Sequence, residues 1–268
     1  MSNNSRKHTN NMQHYINSHA NDIRNYTQQA FDLELCRSNG QFRNSIIQAL
    51  RNPDFATELY NIPNPINRKD VIDCFNHSMY RGFIATLLWG GKHKEHYGSF
   101  QKIITTYSKN EIEEKLERTC ALLQAQNTQG AFDSFLKEGK CNIQHIGESY
   151  FTKLIYFLSY IATHDYRPRP LILDNVLQQV RCAFMIEDGL DYYNYYTYNH
   201  QSHHLFILKN NYTSDAYVNF CNRMNEAAET IDATPEKLEA FLFCNCPMPD
   251  GTVPRQYVNH FIDSHFHN

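Results

Sequence analysis

Gln144-His-Ile-Gly-Glu-Ser-Tyr-Phe-Thr-Lys-Leu-Ile-Tyr-Phe-Leu158, followed by Arg169-Pro-Leu-Ile-Leu-Asp-Asn-Val176, is the stretch whose reading decides the fold. Residues 148–162 are apolar enough for a buried helix, and Gly147 in front of them lets the backbone turn tightly. A shorter amphipathic segment, Ala131 to Lys137, comes before it. The two segments and a turn centred on Ile146-Gly147 read as helix-hairpin-helix over about residues 131–162. The turn has two readings: an ordinary interhelical connection, or a hairpin whose exposed amides at a helix N-terminus receive a nucleic-acid phosphate.

Outward from this stretch the chain keeps a helical pattern. Asp70 to Trp89 carries apolar residues at three- and four-residue intervals, enough for one or two helices, and Gly90-Gly91 ends the pattern. Lys109 to Gln126 is amphipathic with an acidic first turn, and residues 175–187, Asp215 to Ile231 and Pro235 to Phe243 add further helices. Thr234 is placed to cap the last of these, with Pro235 at its first position. Only Leu205-Phe-Ile-Leu208 reads as a strand, and Asp191-Tyr-Tyr-Asn-Tyr-Tyr-Thr-Tyr-Asn199 reads as a loop. Asn61-Ile-Pro-Asn-Pro65 is a second loop. Residues 1 to about 30 are polar and nearly free of aliphatic side chains, which predicts a loose arm. The expectation is an all-α, two-lobed protein of eight or nine helices within residues 31–268, with few or no strands and no repeat.

Composition removes several classes of function. The chain has 268 residues, 41% hydrophobic and 20% charged, which excludes collagen-like and wholly disordered chains. No apolar run reaches the roughly 18 residues of a membrane span, and the first residues lack a signal-peptide core, so a soluble, cytoplasmic monomer is expected. Eight scattered cysteines then read as reduced thiols. Cys244-Asn-Cys246 has no second ligand pair at zinc spacing, and neither a phosphate-binding Gly-Lys loop nor a Gly-x-Ser-x-Gly elbow occurs; no metal or cofactor is expected. A net charge of −3 gives no overall pull toward nucleic acid. Any such contact must be a local basic patch.

Two side chains in the deciding stretch can carry chemistry. Lys153 is the only formally charged residue between Glu148 and Asp165. Its ammonium either snorkels to the surface or lies in a pocket where desolvation favours the neutral, nucleophilic amine. Asp174 ends the run Leu171-Ile-Leu173 just ahead of a helix, as a plain N-cap or as a carboxylate facing a cleft to stabilise positive charge. Lys92, Lys94, Arg167 and Arg169 are candidates for a positive groove, or solubilising charge. Trp89, Tyr192, Tyr193, Tyr195 and Tyr196 are candidates for stacking on a base, or packed aromatics.

With these residues in place, the chain resembles the helix-hairpin-helix DNA glycosylases, most closely bacterial proteins of the 8-oxoguanine glycosylase fold. The likeness rests on Ile146-Gly147, Ser149-Tyr-Phe-Thr-Lys153, Pro170-Leu-Ile-Leu-Asp174 and, more weakly, Leu88-Trp-Gly-Gly91. It implies that DNA, double-stranded with one base flipped out, is the partner, and that a damaged or modified base is excised by cleaving its N-glycosidic bond. It also implies a hairpin, His145, Ile146, Gly147, Glu148 and Ser149, on the DNA backbone, Asp174 as the carboxylate supporting the sugar cation, and Lys153 as the amine attacking the sugar in a bifunctional enzyme. In the family's register Ser149 stands at the usual lysine position, and Lys153 lies one helical turn later on the same face. A defence role against hypermodified phage DNA is compatible with the likeness. The rival reading is a non-catalytic DNA-binding or interaction module of the same fold.

Overall fold

The computed structural model describes residues 12–28, 51–91, 97–163, 165–190, 196–199, 204–207 and 213–245. The chain divides into a central unit, residues 28–174, and a terminal unit formed by residues 1–27 and 175–268.

Side-chain caps set most helix starts in the central unit. Asn52 accepts from the amides of Asp54 and Phe55 to start α3 (Pro53–Tyr60), with Pro53 in the first turn. A capping box between Asn67 and Asp70 starts α4 (Arg68–His77). Ser78, in extended conformation, ends α4 and caps α5 (Met79–Trp89), so the periodic stretch from Asp70 to Trp89 is two helices. After α6 (Tyr97–Thr106), a second capping box, Ser108 with Glu111, opens α7 (Lys109–Gln124). Asn127 caps α8 (Thr128–Phe135), and α9 (Glu148–Ala162) follows after residues 136–147. That connection is held by hydrogen bonds from the Gly139 amide to the Leu136 carbonyl (2.7 Å) and from the Cys141 amide to the Ser134 carbonyl (2.8 Å).

Helix α9 is the hub. Every residue from Phe151 to Ser159 is buried, and α9 packs against α4, α5, α7 and α8. Phe151 sits edge-on to Phe132 (4.9 Å) and stacked on Phe135 (5.5 Å), which fixes α8 on α9. The α4–α5 crossing is close: a Cβ on Gly82 would lie 2.1 Å from the Phe75 ring, so only glycine fits there.

In the terminal unit, α1 (Met12–Ser18) and α2 (Ala20–Arg24) precede α10 (Asn175–Glu187), a hairpin of β1 (Tyr196–Asn199) and β2 (His204–Ile207), α11 (Ser214–Glu229) and α12 (Pro235–Asn245). The strands are antiparallel, with Tyr196 opposite Ile207 and Asn199 opposite His204. The Thr234 hydroxyl accepts from the Lys237 amide, as the Thr-Pro sequence predicts.

Three expectations need correction. Residues 12–24 are not a loose arm. Met12, Ile16 and Ile23 are fully buried, Gln13 donates to the Thr230 hydroxyl (2.9 Å) and Arg24 to the Ile231 carbonyl (2.9 Å). A few apolar residues at helical spacing are enough when a distant part of the chain covers them. The end of the tyrosine-rich stretch is a strand rather than a loop: Tyr196–Asn199 gains ladder hydrogen bonds from His204–Ile207. The described residues contain twelve α-helices, of which α1, α2, α3 and α6 lie outside the stretches whose pattern reads as helical.

Candidate active site

Helix α9 starts at Gly147, whose side of the cap offers no hydrogen-bonding side chain; its carbonyl accepts from the amides of Tyr150 (2.9 Å) and Phe151 (3.0 Å). Gly147 is exposed, and nothing lies within 4 Å of where its Cβ would be. Two residues earlier, His145 is exposed with φ +68°, in the left-handed region that favours glycine. The chain therefore keeps a glycine-like turn while presenting an imidazole at its edge. Ile146 is turned inward, with 8% exposure, and its amide donates to the Ile143 carbonyl (3.1 Å).

Lys153 is 7% exposed. Its side chain runs back along α9, the direction in which helical side chains tilt, and its Nζ donates to the Ser149 carbonyl (2.9 Å) and the Ser149 hydroxyl (3.2 Å). The ammonium thus reaches the first turn of α9, the place that a side chain at position 149 would occupy. It lies 5.3 Å from the centre of the Tyr150 ring, and the Tyr150 hydroxyl donates to the Gly90 carbonyl (3.0 Å). Gly90 closes the space from α5: a Cβ there would stand 3.0 Å from Tyr150 Cε1 and 3.2 Å from Lys153 Cδ. A helix N-terminus carries partial positive charge, so an amine held there lies against the dipole. Glu148, half-buried, is the acidic residue of the same turn.

The segment Leu171–Leu173 is buried and tied to α9 through Thr152, the neighbour of Lys153. The Leu173 amide donates to Thr152 Oγ1 (3.1 Å), and that hydroxyl in turn donates to the Glu148 carbonyl (2.9 Å). Asp174, half-buried, is the next residue after this anchor and the last of the central unit. The structure thus brings Gly147, Ser149, Lys153 and the backbone leading to Asp174 to one half of α9.

Other predicted site residues lie elsewhere. Arg169 is 8% exposed, with its guanidinium 3.9 Å from the centre of the Tyr160 ring and NH1 donating to the Ser159 hydroxyl (3.2 Å). These contacts favour a packing role for Arg169 over DNA contact, while Arg167 is exposed. Trp89 meets Phe157 edge-on at 5.3 Å, and the Arg68 guanidinium lies 5.4 Å from the centre of its ring, which favours the packed-aromatic reading. Tyr196 is on β1; Lys92, Lys94, Tyr192, Tyr193 and Tyr195 lie outside the described residues. The sequence reading missed Gly90, Tyr150 and Thr152. The four-residue spacing of Ser149 and Lys153 was the signal that could have shown a lysine returning to its own first turn.

A family profile described as "Putative 8-oxoguanine DNA glycosylase OGG-like protein" matches residues 26–243. The chain belongs to this OGG-like family. No curated protein and no solved structure matches it. The OGG-like match starts after α2 and ends within α12, so it takes in Ser149, Lys153 and Asp174. Membership gives the chain a DNA glycosylase-like function with DNA as partner. Among the described residues, no helix is long and apolar enough to cross a membrane.

Proposed function

We propose that the protein is a DNA glycosylase that releases a damaged or modified base from double-stranded DNA, with Lys153 as nucleophile and Asp174 as the stabilising carboxylate. The observation that carries this reading is the Lys153 amine, buried yet drawn to the first turn of α9 by Ser149. Reaction at the sugar C1′ requires the nucleotide to leave the stack. The Lys153 lone pair then forms a bond to C1′ while the C1′–N bond to the base breaks. The bonding pair leaves with the base, which takes up a proton. Positive charge builds on the sugar as this happens, and the Asp174 carboxylate stabilises it. Loss of a proton from Nζ and opening of the sugar ring, with protonation of O4′, leave a C1′=N imine. The α8–α9 pair acts as the helix-hairpin-helix, with His145 to Glu148 on the DNA backbone and Arg167 beside it, while Ser149, expected in the same set, serves Lys153 instead.

The substrate within this reading is a bulky modified base, including one bearing a sugar, as in modified phage DNA. Support comes from the density of tyrosine with Asn and Gln between residues 192 and 201, aromatic surfaces with polar tips. Action as a cytoplasmic monomer, in defence as well as repair, belongs to the same proposal.

Borohydride trapping on a duplex with an abasic site tests the nucleophile independently of the base. The amine and the C1′ aldehyde condense with loss of water, and hydride adds to the imine carbon. The wild type should give a covalent adduct and Lys153→Gln none. An adduct of undiminished yield in Lys153→Gln would remove Lys153 from the mechanism. Base release is read on duplexes carrying 8-oxoguanine, uracil, alkylated purines or glucosylated hydroxymethylcytosine. Release of 8-oxoguanine alone would overturn the bulky-base assignment, and DNA binding without release of any base would favour a non-catalytic module.

A further inference from the structure

In the first turn of α9 one residue supplies two acceptors to one amine. Ser149 receives Nζ of Lys153 on its carbonyl at 2.9 Å and on its hydroxyl at 3.2 Å. A helix carbonyl in the first turn ordinarily accepts from an amide four residues on, and here it also serves that residue's side chain. The amine can reach back because Lys153 is buried along its length, between Tyr150 and the close approach of Gly90. An ammonium has three N–H bonds and no lone pair. The neutral amine that attacks carbon has two N–H bonds and one lone pair, whose direction is set by where those two bonds point.

We infer that Ser149 is a positioning residue for the Lys153 nucleophile, its carbonyl and hydroxyl holding the two N–H bonds of the neutral amine so that the lone pair is directed away from Ser149. This rests on Lys153 being the nucleophile. The carbonyl holds one N–H bond. The hydroxyl fixes the second, and with both held the tetrahedral nitrogen has one direction left for its lone pair. Orientation of this kind acts on the chemical step and not on DNA affinity. It also explains how a lysine one turn beyond the family's usual position reaches the same turn: the serine standing at that position guides it there.

The experiment is single-turnover borohydride trapping of the full chain on the abasic duplex, with Ser149→Ala, Ser149→Thr and Lys153→Gln. Ser149→Ala is expected to lower the trapping rate at saturating DNA about tenfold. Its half-saturating DNA concentration and its melting temperature should match the wild type, since alanine suits a helix. Ser149→Thr, which keeps the hydroxyl, should restore most of the rate. A Ser149→Ala rate within twofold of wild type, with Lys153→Gln inactive, would overturn the positioning role and leave the nucleophile standing. A change in half-saturation alone would make Ser149 a DNA contact and equally overturn it. Persistence of the adduct in Lys153→Gln removes the nucleophile, a different failure.

Discussion

Helix α9 carries or contacts two buried cations, Lys153 at its N-terminal half and Arg169 at its C-terminal half, exposed by 7% and 8%. Both touch a tyrosine ring and a serine hydroxyl. Their surroundings differ in what they leave for chemistry. The Arg169 guanidinium lies over Tyr160, 3.9 Å from the ring centre, and shares the Ser159 hydroxyl with the Tyr156 carbonyl. A permanently charged group held over a ring in this way binds the segment after α9 to its end and does not serve as a nucleophile. The Lys153 amine can lose a proton, lies against the helix dipole and stands beside the anchored approach to Asp174. Burial of a cation therefore does not separate catalysis from packing; the chemistry of the head group and its partners does.

The largest expected effect breaks this pair apart. Lys153→Met should eliminate trapping while changing stability by less than about 1 kcal/mol, because an apolar side chain of similar length replaces a buried charge well. Arg169→Met should lower stability by about 2 kcal/mol through loss of the stack and the Ser159 hydrogen bond, and should keep trapping at temperatures where the protein is folded. Urea denaturation followed by circular dichroism, with the trapping assay on the same samples, reads both. A Lys153→Met protein as destabilised as Arg169→Met would make Lys153 a packing cation too.

Next in size is the anchor of Asp174. Thr152→Val keeps the shape of the side chain and removes the acceptor of the buried Leu173 amide, an unsatisfied group that costs about 1–3 kcal/mol. Base release should fall with it, since the backbone ahead of Asp174 is freed. Unchanged release on the best substrate from the duplex panel would show that Asp174 is held without Thr152.

The comparison also marks what the sequence could reveal. Helices α7, α9, α11 and α12 are legible as long amphipathic or apolar runs, with Thr234-Pro235 marking the start of α12. Lys153 and Asp174 stood out because each interrupts or ends an apolar run. Arg167-Pro-Arg-Pro170 looks like an exposed basic loop, and only the folded chain shows Tyr160 and Ser159, nine and ten residues back, receiving the Arg169 head group. The roles of Gly90 and Thr152 depend on contacts across 60 and 21 residues, which no local pattern encodes. Met12, Ile16 and Ile23 were lost in a polar stretch for the same reason: their partners lie at the other end of the chain.

The smallest effect is expected at Gly90, and it should be felt at one cation and not the other. Its φ of −74° suits any residue, so alanine brings no backbone strain. The added methyl would stand 3.0 Å from Tyr150 Cε1, 3.1 Å from the Thr86 carbonyl and 3.2 Å from Lys153 Cδ, tight enough that a side chain must move by a few tenths of an ångström. The carbonyl belongs to the body of α5, so Tyr150 and Lys153 give way. Overpacking of this size costs about 1 kcal/mol, at the low end for an added methyl. Displacing Cδ moves the amine relative to Ser149, so Gly90→Ala should slow trapping at saturating DNA about three- to tenfold, as misplaced reacting groups do. Arg169 and Tyr160 make no contact with Gly90 among those described, so a Gly90→Ala, Arg169→Met double variant should lose stability additively, within about 0.5 kcal/mol. Strong coupling in that cycle would show the two halves of α9 to be one cooperative site.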